Sequence, residues 1–269
     1  MRCGGPASSG SWASARVRFE RVGEFGGGAY GTPARVAAVA GEWNTEGMAD
    51  DRWDQVDDYV DEVLALSDPS LLSALADSAA AGLPAINVAP NQGRLLELLA
   101  TMTGARRILE VGTLGGYSTI CLARSLPDDG TLISLELDAH HAEVARRNVA
   151  RAGFASRVEI RVGPASDSLR DMVSGGSEPF DVIFIDADKE GYPEYFSQVM
   201  HLVRPGSVIV ADNVVRDGRV VDVSSADERV RAVREFLRRV GDERRVRATV
   251  VQTVGAKGYD GFALIYVLG

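Results

Sequence analysis

The run Phe184-Ile185-Asp186-Ala187-Asp188-Lys189-Glu190-Gly191-Tyr192 and the shorter run Ala211-Asp212-Asn213 hold the residue types that metal-assisted proton chemistry needs. Each closes an apolar stretch, Val182 to Ile185 and Val208 to Val210, of the kind that forms buried parallel strands. Two such strands side by side would present Asp186, Asp212 and Asn213 at one sheet edge. These are hard oxygen donors of the sort that Mg²⁺ or Ca²⁺ takes. Lys189 adds one amine to that edge. The chain has only two Lys against 27 Arg. Arg cannot release its proton in a protein, whereas Lys can where burial or a nearby cation disfavours its charge. A Lys kept beside these acids therefore points to a need for a point charge or a removable proton. The plainer alternative is that Asp186 and Asp212 cap helices after their strands and that Lys189 is a surface residue.

A second constellation lies at Glu110-Val111-Gly112-Thr113-Leu114-Gly115-Gly116-Tyr117-Ser118, where an apolar strand meets a helix. Glycines at such a junction let a ligand approach the backbone, and the helix start offers free N–H groups. The spacing departs from G-x-G-x-x-G, so the nicotinamide fingerprint is only partly met. Glu136 ends the next strand, where an acid can accept hydrogen bonds from ribose hydroxyls. Together they suggest an adenosine-containing ligand without saying which one.

The elements that must position these residues read as an alternation. Helices over Asp50 to Ala81, broken at Pro69, lead to the loop 83–90 and a helix from Asn91 to Met102. Strands follow at Arg107 to Val111, Thr131 to Leu135, Val158 to Val162, and at the two stretches ending in Asp186 and Asp212. Between them come helices at Tyr117 to Leu126, Ala139 to Arg151, Ala165 to Met172 and Pro193 to Val203, the last followed by a turn signal at Arg204-Pro205-Gly206. That order implies right-handed βαβ units and a parallel sheet covered on both faces. After a helix over Asp227 to Val240, strands Val246 to Thr253 and Phe262 to Val267 read as an antiparallel hairpin.

With 269 residues, 45% hydrophobic and 25% charged, the chain is expected to form a soluble globular protein with one substantial core. A net charge of −9 argues against a nucleic-acid partner. No run of eighteen apolar residues occurs, so no membrane span is expected. Cys3 and Cys121 are the only cysteines; Cys121 falls on an apolar helical stretch and reads as a packed, reduced thiol, which fits a cytoplasmic location. Residues 1–47 carry ten of the 29 Gly and no sustained periodicity, so a disordered or non-native N-terminal extension is expected, with Met48 as the physiological start. His140, His141 and His201 lie on helices without partner spacing, and no catalytic histidine is assigned. Lys257 and Asp260 read as shaping the hairpin turn, and Tyr192 and Tyr195 as packing residues.

From about Met48 to Gly269 the sequence resembles the cation-dependent O-methyltransferase family, which includes catechol and caffeoyl-CoA O-methyltransferases, and is most similar to the small bacterial branch. The matching stretches are Ile108 to Ser118, Phe184 to Lys189, Ala211-Asp212-Asn213, and Gly255-Ala256-Lys257-Gly258-Tyr259-Asp260-Gly261-Phe262. The resemblance implies an α/β fold: a Rossmann-like class I methyltransferase sheet, mostly parallel and seven-stranded, with a C-terminal antiparallel hairpin and helices on both faces. It implies S-adenosylmethionine as cofactor, and Mg²⁺ or another divalent cation such as Ca²⁺ or Mn²⁺ on Asp186, Asp212 and Asn213. Lys189 becomes the catalytic base. Glu136 would hold the ribose, Ser118 and the Gly112 backbone the methionine end, with Tyr117 and Asp188 further cofactor contacts. Ala165 would lie beside the adenine, Glu110 would support the site, and the Ile86 to Val88 backbone would close over the cofactor. The implied acceptor is a hydroxyl of a catechol-type small molecule, and the implied assembly a homodimer. A nucleotide-dependent oxidoreductase on a Rossmann sheet is the alternative, although it has no use for the Asp212-Asn213 pair. Relatives often place an aromatic residue just after that pair; here Val214, Val215, Val220 and Val221 follow, with no aromatic side chain.

Overall fold

Near-continuous apolar runs that alternate with amphipathic segments build the sheet that the sequence implies. The computed structural model describes residues 49–269, so the expected extension at 1–47, the start at Met48 and Cys3 lie outside the described residues. The helices are α1 (Ala49–Leu64), α2 (Pro69–Ala80), α3 (Pro90–Met102), α4 (Tyr117–Arg124), α5 (Ala139–Arg151), α6 (Ala165–Ser174), α7 (Tyr192–Val199) and α8 (Glu228–Asp242). The strands are β1 (Arg107–Val111), β2 (Thr131–Glu136), β3 (Val158–Val162), β4 (Phe180–Ile185), β5 (Val203–Ala211), β6 (Val246–Gly255) and β7 (Gly258–Val267). They form one seven-stranded sheet in the order β3-β2-β1-β4-β5-β7-β6. All neighbours are parallel except β7, which runs antiparallel to both β5 and β6.

Because strand side chains alternate between faces, each buried run feeds two cores. Leu109, Ile183, Ile185 and Ile209 pack on one face with Phe196 and Phe236. Ile108, Val182, Phe184 and Val210 pack on the other with Leu96, Ile120 and Leu122. Cys121 is buried in this second core, where burial pushes its thiol up to about 12, so it is a packed thiol. Among the described residues no helix is long and apolar enough to cross a membrane.

The expected turn at Arg204-Pro205-Gly206 is instead a bulge within β5, and the helix expected to reach Val203 stops at Val199. Phe180 pairs with Val203 but Val182 pairs with Val208, so β5 carries extra residues at this point. Pro205 has no N–H to give the ladder, and Gly206 takes a positive φ of 93° there. The Ser207 hydroxyl closes the gap, accepting from Arg204 N (3.0 Å) and donating to Phe180 O (2.7 Å).

Asp181 clamps this same end of the sheet. Its Oδ2 accepts from Arg106 N (2.8 Å) and Arg107 N (3.0 Å), and Arg204 reaches its Oδ1. Burial pushes its carboxyl up, but the two backbone N–H groups and Arg204 outweigh it, leaving the pKa below the usual value. The folded value lies below the unfolded one, about 3.9, so the stabilisation is complete above that pH and is lost as pH falls through the folded value. Asp181→Ala is expected to cost about 1–3 kcal/mol at pH 7 by orphaning those donors. Urea melts of wild type and variant should converge below pH 4; a constant gap at all pH values would contradict this account.

Candidate active site

The chain reverses direction across the sheet at β1 and β4: β2 and β3 lie on one side, β5 and the hairpin on the other. Ligands bind at the carboxyl ends of strands at such a switch point. A cavity of about 1020 Å³ opens there. That is at the upper end of the range for small-molecule sites, which run to about 1,000 Å³. Its wall includes Ile86, Val88, Gly112, Tyr117, Ser118, Glu136, Ala165, Asp186, Asp188, Lys189 and Asn213, all singled out from the sequence. Glu110 and Asp212 lie just behind the wall, each buried.

At the ends of β4 and β5 the charged groups converge. Neither Asp186 nor Asp212 caps an α-helix; Asp68, Asp138 and Asp227 do that for α2, α5 and α8. Lys189 stands on a single 3-10 turn (Lys189–Gly191) and is 7% exposed, which removes the surface alternative. Its Nζ donates to Asp186 Oδ1 (2.9 Å) and to the Tyr192 hydroxyl (2.7 Å). Tyr192 Oη in turn lies 3.1 Å from Ile185 O and 2.9 Å from Asp212 O. Burial first, then the nearby Asp186 charge, pushes the Asp212 carboxyl up to about 7. The Asp186 charge disfavours ionisation of the buried Asp212, a repulsion that a bound cation would relieve. The Asp212 carboxylate also accepts from Asn213 N (2.8 Å), and Asn213 takes a left-handed φ of 55° beside it.

On the β1 side, Gly112 has φ of +100°, and a Cβ there would overlap the Asp186 carbonyl oxygen and lie 2.7 Å from its carbon. Only glycine lets the ends of β1 and β4 come this close. Glu136 Oε2 accepts from Thr113 N (3.1 Å) and Leu114 N (2.7 Å), and Oε1 from Asp138 N (3.0 Å). The acid at the end of β2 therefore orders the glycine loop as well as facing the cavity. Glu110 does not reach the cavity surface. Its carboxylate accepts from Ser118 Oγ (2.6 Å), Thr119 Oγ1 (2.5 Å) and Ser134 Oγ (2.6 Å). Burial raises it to about 7 against these three hydroxyls. Its observed contacts therefore orient Ser118 from behind.

Several residues around the site carry more than the sequence suggested. Tyr192 and Tyr195 are packed as expected, yet their hydroxyls belong to the site: Tyr195 Oη donates to Asp188 Oδ1 (2.6 Å), while Tyr192 holds Lys189. His141, to which the sequence assigns no catalytic role, lines the cavity with Nδ1 3.6 Å from Glu136 Oε1. Asp260 does shape the hairpin, but across it: its Oδ1 accepts from Val215 N (3.0 Å), Arg216 N (2.9 Å) and Gly261 N (3.0 Å), pinning the segment that follows Asn213. Lys257 Nζ donates to Ala85 O (3.1 Å), tying the hairpin to the loop that carries Ile86 and Val88. From α3, the Gln92 side chain faces Asp212, and its Nε2 is buried without a hydrogen-bond partner. No spacing rule reveals these partners, because each comes from an element other than that of the residue it meets.

A family model described as O-methyltransferase matches residues 63–266. A catechol O-methyltransferase from Niastella koreensis is 51% identical over 215 residues, covering 80% of this chain and 97% of the relative. Among solved structures, an O-methyltransferase from Bacillus cereus in complex with SAH superposes with a TM-score of 0.79 at 51% identity, covering 81% of this chain and 99% of its own. The O-methyltransferase TomG from Streptomyces achromogenes, involved in tomaymycin synthesis and in complex with SAM, gives a TM-score of 0.80 at 46% identity, covering 82% and 100%. Nothing in these matches supports the oxidoreductase alternative.

Proposed function

This chain belongs to the O-methyltransferase family, and we propose that it moves a methyl group from S-adenosylmethionine to one hydroxyl of a catechol-type small molecule with a divalent cation as helper. The observation that carries this is the junction of β4 and β5, where Asp186 and a buried Asp212 crowd each other beside Lys189. Asp186, Asp212 and Asn213 supply oxygen donors that fit Mg²⁺, Ca²⁺ or Mn²⁺. The glycine loop, Glu136 and the cavity volume fit a nucleoside-sized cofactor. When bound, S-adenosylmethionine supplies an electrophilic methyl group, and the cation favours the anionic form of the accepting phenol, whose free pKa is about 10.

The residues do the rest. Lys189 Nζ takes the proton from the hydroxyl to be methylated. Tyr192, anchored on the Ile185 and Asp212 carbonyls, fixes where that amine points. Asp186 is the carboxylate that balances Lys189 as an ammonium. Were Asp186 and Asp212 to hold a cation, the Asp186 oxygens would no longer be reserved for Lys189, and its Nζ would be free to act as the proton acceptor. Ser118, held by Glu110, and the Gly112 backbone present polar groups to the methionine end of the cofactor. The apolar lining from Leu83, Ile86, Val88 and Leu135 keeps water from the transfer. Residues 48–269 form the unit that does this.

The test is metal removal. Enzyme stripped with EDTA and assayed with S-adenosylmethionine and a vicinal diphenol is expected to lose at least about 100-fold of its rate, regained on adding Mg²⁺. Equal rates before and after restoration would remove the cation from the reaction. Isothermal titration with Mg²⁺ gives a readout besides activity: Asp212→Ala should abolish the binding heat.

A further inference from the structure

The segment after Asn213 carries a cation that the chemistry above does not use. Arg216 and Asp217 both take left-handed backbone angles, φ 59° and 55°, a costly choice for residues other than glycine. Asp260 holds them there through the Val215 and Arg216 backbone N–H groups. Arg216 lines the cavity, as do Asn213 and Lys189.

Its guanidinium is poorly satisfied. The side chain is 16% exposed, and Nε is buried with no hydrogen-bond partner. The nearest carboxylate, Asp260 Oδ2, is 3.9 Å from Nη1, beyond hydrogen-bond length. Asp260 instead spends its Oδ1 on three backbone donors. A buried guanidinium carries five donors in a rigid fork and is normally hydrogen-bonded. The other cavity cations have partners: Lys189 has Asp186, and Arg229 has Asp227 Oδ1 at 3.4 Å.

We propose that Arg216 is a specificity-determining residue that pairs with a carboxylate on the acceptor, so that the preferred substrates are vicinal diphenols bearing an acid group. The inference rests on the catechol reading and narrows it. A planar carboxylate matches the guanidinium fork in two parallel hydrogen bonds, which a neutral ester or amide cannot reproduce. The pairing would orient the ring while its two hydroxyls face the Asp186–Asp212 end.

The experiment compares 3,4-dihydroxybenzoate with its methyl ester, which keeps an electron-withdrawing carbonyl on the same ring. Wild-type enzyme, Arg216→Met and Arg216→Lys are assayed with S-adenosylmethionine and Mg²⁺, after melting curves confirm that each is folded. Wild type is expected to prefer the acid. In Arg216→Met the acid-to-ester ratio of kcat/KM should fall by about 10- to 100-fold, mostly through KM for the acid, as expected for lost hydrogen bonds to a charged group. Arg216→Lys should restore part of that ratio. A loss shared equally by acid and ester would mean that Arg216 only shapes the loop and would overturn the inference, as would a wild type indifferent to the acid group. If wild type methylates neither compound, the catechol reading itself fails, and the inference falls with it.

Discussion

Lys189→Met and Lys189→Arg are both expected to lower kcat by about 10²- to 10⁴-fold, the usual contribution of a positioned general base. The two variants are informative together because they separate charge from proton. Met fills the volume of the stem but removes the amine that stands 2.9 Å from Asp186 Oδ1 and 2.7 Å from Tyr192 Oη. Arg keeps a positive charge for Asp186 but holds its proton permanently. If Lys189 serves only as a counter-charge, Arg should restore most of the rate and Met none of it. If it takes the hydroxyl proton, both should fail alike. Lys189 is buried, so Met also leaves Asp186 without its cation and should cost about 1–3 kcal/mol of stability. Rates must therefore be read below the lowered melting point, with S-adenosylmethionine affinity measured by calorimetry as a check on the rest of the site. A Lys189→Arg enzyme within about tenfold of wild type would exclude the base role.

The carboxylates and the amine of this site were legible in the sequence because chemistry at a strand end leaves a local mark. An apolar run that stops at an acid reports a buried strand with a polar tip, and Asp186 and Asp212 both read that way. The glycine at position 112 was legible too, since it stands where a strand meets a helix. What periodicity could not report is which strands are neighbours. That β4 lies beside β1, and β5 beside β4, is fixed by packing on two sheet faces, and only that order brings Gly112 and Asp186 together. The partners that tune the site were hidden for the same reason. Asp260 reaches the Val215 backbone across 45 residues of sequence, and His141 reaches Glu136 from the next helix. Tyr192 reads as an apolar position because its ring is one; its hydroxyl counts only once Lys189 is in place. The bulge at Pro205 illustrates the opposite failure. Pro205 and Gly206 imply a turn before the strand, but β5 already starts at Val203 and takes them in as a bulge beside β4.

Gly112→Ala should damage both stability and cofactor binding, and comparison with a second glycine isolates the reason. Gly112 and Gly153 both have positive φ, 100° and 88°. A Cβ on Gly153 meets nothing within 4 Å, so Gly153→Ala bears only backbone strain, about 1–2 kcal/mol. A Cβ on Gly112 overlaps the Asp186 carbonyl oxygen, with the Ala187 nitrogen 3.2 Å away. Neither is the tip of a flexible side chain; both are backbone at the end of β4. That backbone is held by Asp186 N donating to Val111 O (2.8 Å), just as Gly112 N donates to Leu135 O (2.9 Å). Relief therefore requires β1 and β4 to part at their carboxyl ends, which displaces Asp186 and the glycine loop together. Overpacking of this kind adds about 1–3 kcal/mol to the strain. At roughly 2–4 °C per kcal/mol for a domain of this size, Gly112→Ala should melt several degrees below Gly153→Ala. The sharper difference lies in ligand response. A cofactor at 100 times its Kd stabilises the folded state by about 2.7 kcal/mol, and Gly153→Ala should retain that shift in full. Gly112→Ala should lose most of it, because the separated strand ends no longer present the loop to the cofactor. An S-adenosylmethionine-induced shift equal in the two variants would show that the close approach of β1 and β4 serves packing alone.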